Sequence, residues 1–481
     1  MMPSAPMTEL SPARRAALDL LIELEESGAY ARDALDASPA VRALDRRDAG
    51  LATRLVLGVV ATYGCLDELI DTYCDKPGRM NARIRNALRI SAFELLYLGT
   101  EPRVVVSQGV ELVRTRAKSA AGFANAVLRR ACEDRARYLD ARDIRESDGR
   151  ATAALSRQGG LPEWLVAEFE ASLGAARTRA LVEAGLEPAL VAACVNPLDA
   201  TAEEAVAACR ASGDAAACPA FPGCVAPLDA AQLVASGVLR RDGAVVCDLN
   251  AQVVACAAIV PGATLEVGAG RGTKTFVMAA TASRCGIERT AVALEVSKKR
   301  SRLNRRRMER AGLAEGIRFV TGDGCDLDGA LAALDSEAGE CLRFDCVLVD
   351  APCSGTGTMR RHPEIPWRLD PIDIDEDLPR LQLELLSQAA RRVRAGGQLI
   401  YATCSVLHQE NADVVDAFLN SPAGRDFLLE PVSGAPVFRR GEFAELAAYV
   451  RGNETARGLF QTVPTEDAFD GHFCARLVRM R

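Results

Sequence analysis

Short apolar strands alternate with helical stretches from about residue 241 onward, and this alternation restricts the fold more than any other feature of the chain. Apolar strands separated by helices predict a mostly parallel sheet that is covered on both faces, which is an α/β fold. The predicted strands are T-L-E-V-G (264–268), T-A-V-A-L-E (290–295), I-R-F-V-T (317–321), F-D-C-V-L-V-D (344–350) and Q-L-I-Y-A-T (398–403).

The preceding residues divide into two parts of different composition. Residues 1–150 are predicted to be all helix, with Ser11 and Pro12 at the start of the first helix and Gly28 at its end. The next stretch is alanine-rich and predicts a small α+β module. We therefore predict three domains, which comprise residues 1–150, 151–240 and 241–481.

The charge pattern points to a phosphate-bearing partner. A net charge of −7 argues against a protein that coats nucleic acid indiscriminately. However, residues 76–130 carry eleven Lys or Arg against three Asp or Glu, and residues 298–310 carry eight against one. Within the first block Arg83, Arg85 and Arg89 recur on one side of a predicted helix, which predicts a helical bundle with a basic surface.

Targeting and metal signals are missing from the sequence. The N-terminus has no basic region followed by an apolar stretch, and no apolar run reaches the roughly 18 residues of a membrane span. Sixteen cysteines show no C-x-x-C spacing, and three histidines support no metal site. We expect a cytoplasmic protein that binds no metal and no membrane, and whose cysteines are mostly small buried hydrophobes.

A glycine-rich loop, V-G-A-G-R-G-T-K-T (267–275), follows the first predicted strand. Its glycines allow a sharp turn in which the backbone passes close to a ligand. Glu295, at the end of the next strand, could accept hydrogen bonds from both ribose hydroxyls, and Asp323 could reach an adenine amino group. The spacing G-x-G-x-G is not the dinucleotide G-x-G-x-x-G, so it favours S-adenosylmethionine over NAD, with a plain strand-to-helix turn as a further alternative.

Two cysteines follow the fourth and fifth predicted strands: Cys353 in D-A-P-C-S-G-T-G (350–357) and Cys404 in Y-A-T-C-S (401–405). Open α/β sheets bind ligands at the carboxyl ends of their strands, so the two thiols would converge if these strands are neighbours. A thiolate that adds to carbon 6 of cytosine makes carbon 5 nucleophilic enough to take a methyl group. Simple packing is the alternative, and local chemistry does not say which thiol attacks.

Two long motifs resemble those of the RNA 5-methylcytosine methyltransferases of the NOL1/NOP2/Sun family. They are V-D-A-P-C-S-G-T-G-T-M-R-R-H-P-E-I-P-W (349–367) and G-G-Q-L-I-Y-A-T-C-S-V-L-H-Q-E-N (396–411), and F-D-G-H-F-C-A-R-L (469–477) also fits. The helical segment resembles the NusB-like RNA-binding bundle in L-D-R-R-D (44–48) and F-A-N-A-V-L-R-R (123–130). The resemblance implies a Rossmann-like class I methyltransferase domain, an all-α NusB-like bundle in front of it and the small α+β module between them.

The same resemblance implies a role for each motif residue. Cys404 would be the nucleophile that adds to carbon 6, and Cys353 would help to release the enzyme after transfer. Asp350 would hydrogen-bond the cytosine near ring nitrogen 3, and Lys274 would lie near the reacting centre, where it could help a thiol to ionise. S-adenosylmethionine would be held by Gly268, Ala269, Gly270, Arg271, Gly272, Lys274, Glu295, Asp323 and Asp350.

The expected substrate is RNA, ribosomal RNA of the small subunit above all, bound by a monomer. Two alternatives stay open: methylation of transfer RNA or of another ribosomal site, and a non-catalytic RNA-binding or assembly factor that keeps the fold. The chain departs from the family's usual loop, C-A-A-P-G-G-K-T, and carries His472 where the family has phenylalanine, which we expect to be a packing change. Trp367 is expected to pack, with base stacking as the alternative.

Overall fold

A computed structural model describes residues 9–140, 151–211 and 218–480 of the chain. Contacts between residues divide the chain into two compact units. One unit consists of the residues up to Glu187 together with Met359–Leu369, and the other of Pro188–Thr358 and the residues from Asp370 onward. The domain boundaries at 150 and 240 stay predictions.

The first unit is helical, and apolar side chains from its longer helices form one buried core. As predicted, Pro12 opens the first helix and Gly28, with a left-handed φ of 65°, ends it. The side chain of Ser11, however, makes no capping hydrogen bond. The helices are α1 (Pro12–Ser27), α2 (Ala31–Ala37), α3 (Pro39–Arg42), α4 (Arg46–Ala61), α5 (Tyr63–Thr72), α6 (Ala82–Leu96), α7 (Pro102–Arg116), α8 (Ala121–Glu133), α9 (Arg135–Asp140), α10 (Ala151–Gly159), α11 (Glu163–Leu173) and α12 (Ala175–Ala184).

The predicted basic surface of α6 is wrong for two of its three arginines. Arg83 is exposed. Arg89 is buried; its Nη2 lies 2.6 Å from Asp67 Oδ2, and its guanidinium lies 4.5 Å from the centre of the Tyr63 ring. Arg85 Nη1 lies 3.1 Å from the same carboxylate. Helix α5 therefore supplies an anion that neutralises this side of α6, which helical periodicity alone does not reveal.

One feature of the helical unit concerns membranes. In the part of the chain that the structure describes, no single helix is both long and apolar enough to cross a bilayer. Helices α4 and α5, which meet at a bend of 79°, satisfy the length and composition criteria only when they are counted together.

The second unit contains two sheets. A small antiparallel sheet has the order β2-β1-β3, and the main sheet has the order β10-β11-β8-β7-β4-β5-β6, with β9 paired to β11. Strands β4 to β8 run parallel, while β9, β10 and β11 add an antiparallel edge. The elements in chain order are β1 (Ala193–Val195), α13 (Ala202–Ala207), β2 (Cys224–Val225), α14 (Ala230–Ala235), β3 (Ala244–Val246), α15 (Leu249–Ala257), β4 (Gly262–Val267), α16 (Thr273–Arg284), β5 (Arg289–Glu295), α17 (Lys298–Arg310), β6 (Ile317–Thr321), α18 (Leu327–Ala338), β7 (Phe344–Asp350), α19 (Leu378–Arg391), β8 (Val393–Thr403), α20 (Ala412–Leu419), β9 (Phe427–Glu430), α21 (Ala444–Gly452), β10 (Phe460–Gln461) and β11 (Phe473–Arg479).

The parallel strands are apolar on both faces because helices cover both sides of the sheet. In β7, Cys346 and Leu348 join one buried cluster, whereas Val347 and Val349 join the cluster on the opposite face. Burial on both faces explains why these strands are continuous apolar runs and do not alternate with polar residues. The predicted α/β fold and its five parallel strands are confirmed.

We expect Gly58→Ala to destabilise the helical unit. A Cβ atom at Gly58 on α4 would clash with the buried ring of Phe93 on α6, and such overpacking typically costs about 1–3 kcal/mol. Gly50 lies on the same helix with open space around its Cα, so Gly50→Ala should raise stability by up to about 1 kcal/mol. Urea unfolding followed by circular dichroism measures both changes, and equal effects of the two substitutions would contradict the prediction.

Candidate active site

The two cysteine loops follow neighbouring strands. Strands β7 and β8 pair in parallel, with Asp350 opposite Ala402. Their carboxyl ends therefore meet at one edge of the sheet, which was the condition for the thiols to converge. The Sγ atoms of Cys353 and Cys404 lie 3.3 Å apart, and the Cys404 backbone N–H also points at Cys353 Sγ, at 3.3 Å.

Glycine allows the loops to come this close. Gly357 N–H donates to the Cys404 carbonyl oxygen at 2.9 Å, and the Gly357 carbonyl accepts from Gly471 N–H at 2.8 Å. A Cβ atom at Gly357 would clash with the backbone carbonyl of Gly471. A small residue is thus required at Gly357, where the loops that carry Cys353, Cys404 and Gly471 meet.

Glu410 connects the two cysteine loops, and sequence reasoning missed it. Its buried carboxylate accepts hydrogen bonds from Ser354 N–H at 2.8 Å, Ser354 Oγ at 2.5 Å and Ser405 Oγ at 2.6 Å. Gln382 Nε2 donates to the same carboxylate at 3.0 Å. Because Ser354 and Ser405 each follow a cysteine, one carboxylate sets the position of both thiol-bearing loops. Glu410 lies inside the motif at 396–411, and this position was the signal from which the sequence could have indicated a functional role.

Lys274 and Asp350 form an ion pair at the strand ends. Lys274 Nζ lies 2.9 Å from Asp350 Oδ1 and 2.8 Å from Oδ2. Burial alone would lower the pKa of Lys274, but the charge and hydrogen bonds of Asp350 outweigh it and raise that pKa above its ordinary value. The charge of Cys404 acts on Lys274 in the same direction.

The Cys353 thiol is held in its protonated form. Its hydrogen bond with the Cys404 thiol, followed by burial, raises the pKa of Cys353 well above the ordinary value. A thiol that stays protonated is a poor nucleophile, because the thiolate is the reactive form.

Glu295 holds the glycine-rich loop. Its Oε2 accepts from Gly270 N–H at 2.9 Å, and its Oε1 accepts from Ser297 N–H at 2.8 Å and pairs with Arg300 at 2.8 Å. The predicted ribose contact must therefore use the remaining lone pairs of this carboxylate. Asp323, the predicted adenine partner, is exposed, and its Oδ1 accepts from the N–H of its own loop at residue 325, at 2.9 Å.

The loop glycines differ in what surrounds them. A Cβ atom would clash with the Asp350 carbonyl at Gly268 and with the Asn304 side chain at Gly272, whereas at Gly270 its nearest neighbour would be the Gly268 carbonyl oxygen at 3.8 Å, an ordinary contact. All three have positive φ angles, of 85°, 57° and 85° in chain order. Ala269 N–H donates to the carbonyl of Leu294, and the carbonyl of Arg271 accepts from Arg307. Gly270 thus faces the space in which a ligand can approach the backbone.

A buried carboxylate lies at the end of β4, in front of this loop. Glu266 Oε2 accepts from Thr275 Oγ1 at 2.6 Å, and Asn304 Nδ2 donates to that hydroxyl at 3.0 Å. Burial raises the pKa of Glu266 to about 7. This small network links β4, α16 and α17 next to the loop.

His472 lies across from Cys404, because the next residue, Phe473, pairs with Thr403. Within the described ranges its buried Nδ1 has no hydrogen-bond partner, and it lies 3.9 Å from Asp248 Oδ1. Burial, followed by the nearby positive charge of Lys274, lowers the pKa of His472 to about 4. The side chain is therefore neutral at physiological pH. Residues 9–140, 151–211 and 218–480 contain no cluster of three or more His, Cys, Asp or Glu side chains arranged to hold a metal ion.

Two family models match the chain. Residues 261–478 match the model described as 16S rRNA methyltransferase RsmB/F, and residues 11–133 match the NusB family. The first match includes the glycine-rich loop and both cysteines, and the second covers α1 to α8.

Full-length similarity extends to named proteins and to a solved structure. The ribosomal RNA small subunit methyltransferase B of Thermus thermophilus is 30% identical over 470 residues, which are 97% of this chain and 98% of that protein. The protein of the same name from Xylella fastidiosa is 28% identical over 90% of this chain and 93% of its own length. The crystal structure of PH0851 superposes with a TM-score of 0.68 over 98% of this chain and 99% of that one, at 20% identity, which shows a shared fold.

We expect His472→Phe to reduce the loss of stability in acid. Between pH 6.5 and pH 4 the unfolded chain binds a proton at His472 that the folded chain does not bind, so wild-type stability falls as the pH falls through that window. At pH 5 this costs the wild type about 2 kcal/mol relative to pH 7.5. Urea unfolding at both pH values should show a fall that is smaller by about that amount in the variant, because other titrating groups are common to both proteins. Equal falls would refute the assignment.

Proposed function

The chain belongs to the RsmB/F family of 16S rRNA methyltransferases, and from that premise we propose that it methylates carbon 5 of a cytosine in small-subunit ribosomal RNA. It is thus an RNA methyltransferase whose cofactor is S-adenosylmethionine. The choice of cytosine, of carbon 5 and of a covalent route rests on one observation, which is the pair of thiols 3.3 Å apart at the ends of β7 and β8. Carbon 5 of cytosine reacts only after a nucleophile has added to carbon 6, so this chemistry needs a thiol beside the cofactor.

Cys404 is the attacking residue in this proposal. Its sulfur forms a bond to carbon 6, and the electrons of the C5–C6 double bond move so that carbon 5 becomes nucleophilic. The thiolate is the nucleophilic form of a cysteine, and Lys274 is an ammonium at the same strand ends. The cofactor, when bound, supplies an electrophilic methyl group, which is transferred to carbon 5 with the C–S⁺ bond of the cofactor breaking.

Cys353 assists release. Loss of the proton on carbon 5 to a water molecule restores the C5–C6 double bond, and the bond between carbon 6 and Cys404 breaks with its electron pair returning to sulfur. A neighbouring protonated thiol can donate its proton to that leaving thiolate, and the raised pKa of Cys353 keeps it protonated until then. The 3.3 Å separation of the sulfurs suits a direct transfer.

Asp350 orients the base, and Lys274 orients Asp350. A carboxylate accepts hydrogen bonds on several lone pairs, so the ion pair with Lys274 leaves capacity for the amino group or protonated nitrogen 3 of cytosine. Hydrogen bonds to this edge hold the base in the orientation that attack at carbon 6 requires.

The glycine-rich loop is proposed to hold the cofactor. The uncrowded backbone at Gly270 and the buried carboxylate of Glu295 fit a ribose close to the backbone. The carboxylate of Asp323 is exposed and has several lone pairs, so it can also accept from an adenine amino group. The complete proposed set is Gly268, Ala269, Gly270, Arg271, Gly272, Lys274, Glu295, Asp323 and Asp350. Residues 241–481 form the catalytic domain of the proposal, residues 1–150 an RNA-binding bundle and residues 151–240 the α+β module.

The central test separates attack from release. Cys353→Ala should accumulate a covalent protein–RNA adduct, seen as a band that survives denaturing electrophoresis, because the leaving thiolate lacks its proton donor. Cys404→Ala should form no adduct, and both variants should lose turnover. Bisulfite sequencing of ribosomal RNA from cells with and without the gene then locates the methylated cytosine.

A third cysteine provides the matched control. Cys74 lies in the helical unit, and Cys74→Ala should behave as the wild type in both assays. Adduct in Cys404→Ala and none in Cys353→Ala would reverse the two roles. No change in bisulfite signal anywhere in the small-subunit RNA would refute the proposed substrate.

Glu410 offers a test of loop positioning. Glu410→Ala leaves the donors of Ser354, Ser405 and Gln382 without an acceptor, and the displaced thiols should lower kcat by roughly 100-fold. Glu410→Gln should recover most activity, because its carbonyl can keep the two N–H donors while its amide donates to the serine hydroxyls. The affinity of both Glu410 variants for S-adenosylhomocysteine should equal that of the wild type. The control is Glu384→Ala, at an exposed carboxylate on α19, which should keep the wild-type kcat. Equal kcat for the Ala and Gln variants would contradict this role.

A further inference from the structure

We propose that a cavity in the helical unit binds a guanine base of the substrate RNA, an inference that rests on RNA being the substrate. The cavity has a volume of about 250 Å³. This is slightly below the roughly 300–1,000 Å³ of sites for drug-sized ligands, so a single nucleobase suits it. Its polar and aromatic walls come from Glu25, Tyr63, Arg89, Glu364, Trp367 and Arg368.

Trp367 fixes one wall of the cavity. Its Nε1–H donates to the carbonyl of Ala61 at 2.9 Å, and its ring packs so closely on Gly64 that a Cβ atom there would clash with it. The packing expected for this tryptophan is therefore present. The indole together with Tyr63 supplies the aromatic surface on which bases stack.

Glu364 is the unusual group in this cavity. Its side chain is only 7% exposed, and across the described ranges neither carboxylate oxygen has a hydrogen-bond partner. His362 Nδ1 lies 3.8 Å from Oε1, which is too far for a hydrogen bond. A buried carboxylate without donors is unfavourable, so a ligand that brings N–H groups gains from this position.

Arg368 is the cation that can still donate. Its Nη2 bonds the carbonyls of Gly28 and Ala29 at 2.8 and 2.9 Å, and no described residue accepts from its Nε or Nη1. Arg89, in contrast, is occupied by Asp67. The cavity thus offers one unsatisfied acceptor pair and one cation with free donors.

Guanine is the base whose edges match this pair of groups. Its N1–H and N2–H₂ lie side by side and can donate to the two oxygens of Glu364, while O6 and N7 accept from an arginine. Uracil presents one N–H between two carbonyl groups, and adenine places an acceptor beside its single amino group, so either would repel a carboxylate. Stacking alone does not discriminate between bases, so specificity here depends on Glu364.

The cavity can be tested with nucleotides, because Trp367 is a built-in reporter. The sequence contains two tryptophans, so Trp164→Phe leaves Trp367 as the only indole. Guanosine 5′-monophosphate should quench its fluorescence saturably, with S-adenosylhomocysteine present throughout so that the cofactor site is filled. Inosine 5′-monophosphate, which lacks the N2 amino group, and adenosine 5′-monophosphate should each bind at least about fivefold more weakly. Equal affinity for the three nucleotides, or no saturable change, would overturn the proposal.

Two carboxylate variants in the Trp164→Phe background complete the test. Glu364→Gln should weaken guanosine 5′-monophosphate binding about tenfold, because the amide NH₂ group then faces an N–H group of guanine. The control Glu26→Gln, at an exposed site on α1, should not change the affinity. Unchanged binding in Glu364→Gln would also overturn the proposal. The nucleotide comparison decides the matter even if this variant misfolds. Because no step measures methyl transfer, a failed cytosine assay and a failed guanine assay are separate results.

Discussion

The parallel pairing of β7 with β8 is the constraint from which the active site follows. With Asp350 opposite Ala402, the chain turns out of both strands at the same edge of the sheet, so residues more than fifty positions apart must share one space. Apolar residues on both faces of β7 hold the strand between two helical layers. The 3.3 Å contact between Cys353 and Cys404 is a consequence of that register.

Burial of charge around this edge gives each group its chemical state. Lys274 is kept as an ammonium by Asp350, and Cys353 as a thiol by its contact with Cys404 and by burial. His472 is kept neutral by burial and by the ammonium. Partial burial makes each of these interactions stronger than it would be in water. The charge state of each of these three groups therefore depends on its neighbours.

The motif at 349–367 serves both compact units. The part of the motif that ends at Thr358 lies in the second unit and consists mostly of small residues. Small residues let loops approach one another closely, as Gly357 does beside Cys404. From Met359 its contacts belong to the helical unit, where Trp367 bonds the end of α4 and Arg368 bonds the turn after α1. The change from small to large, charged residues within one motif therefore reflects a change of packing partner.

The sequence alone predicted the strands and the position of the two cysteines, because apolar periodicity and the ends of strands can be recognised from neighbouring residues. The start of β8 at Val393 was missed, since R-A-G-G carries no apolar pattern. Glu410 stood inside a recognised motif, yet its role depends on Ser354, which lies in a different loop. Glu295 was predicted from its strand-end position to bind a ribose, but only the tertiary contacts show that protein donors already occupy part of its carboxylate. A sequence can thus name the residue types that a reaction needs, whereas the lone pairs and protons left for the substrate depend on long-range hydrogen bonds that no local pattern records.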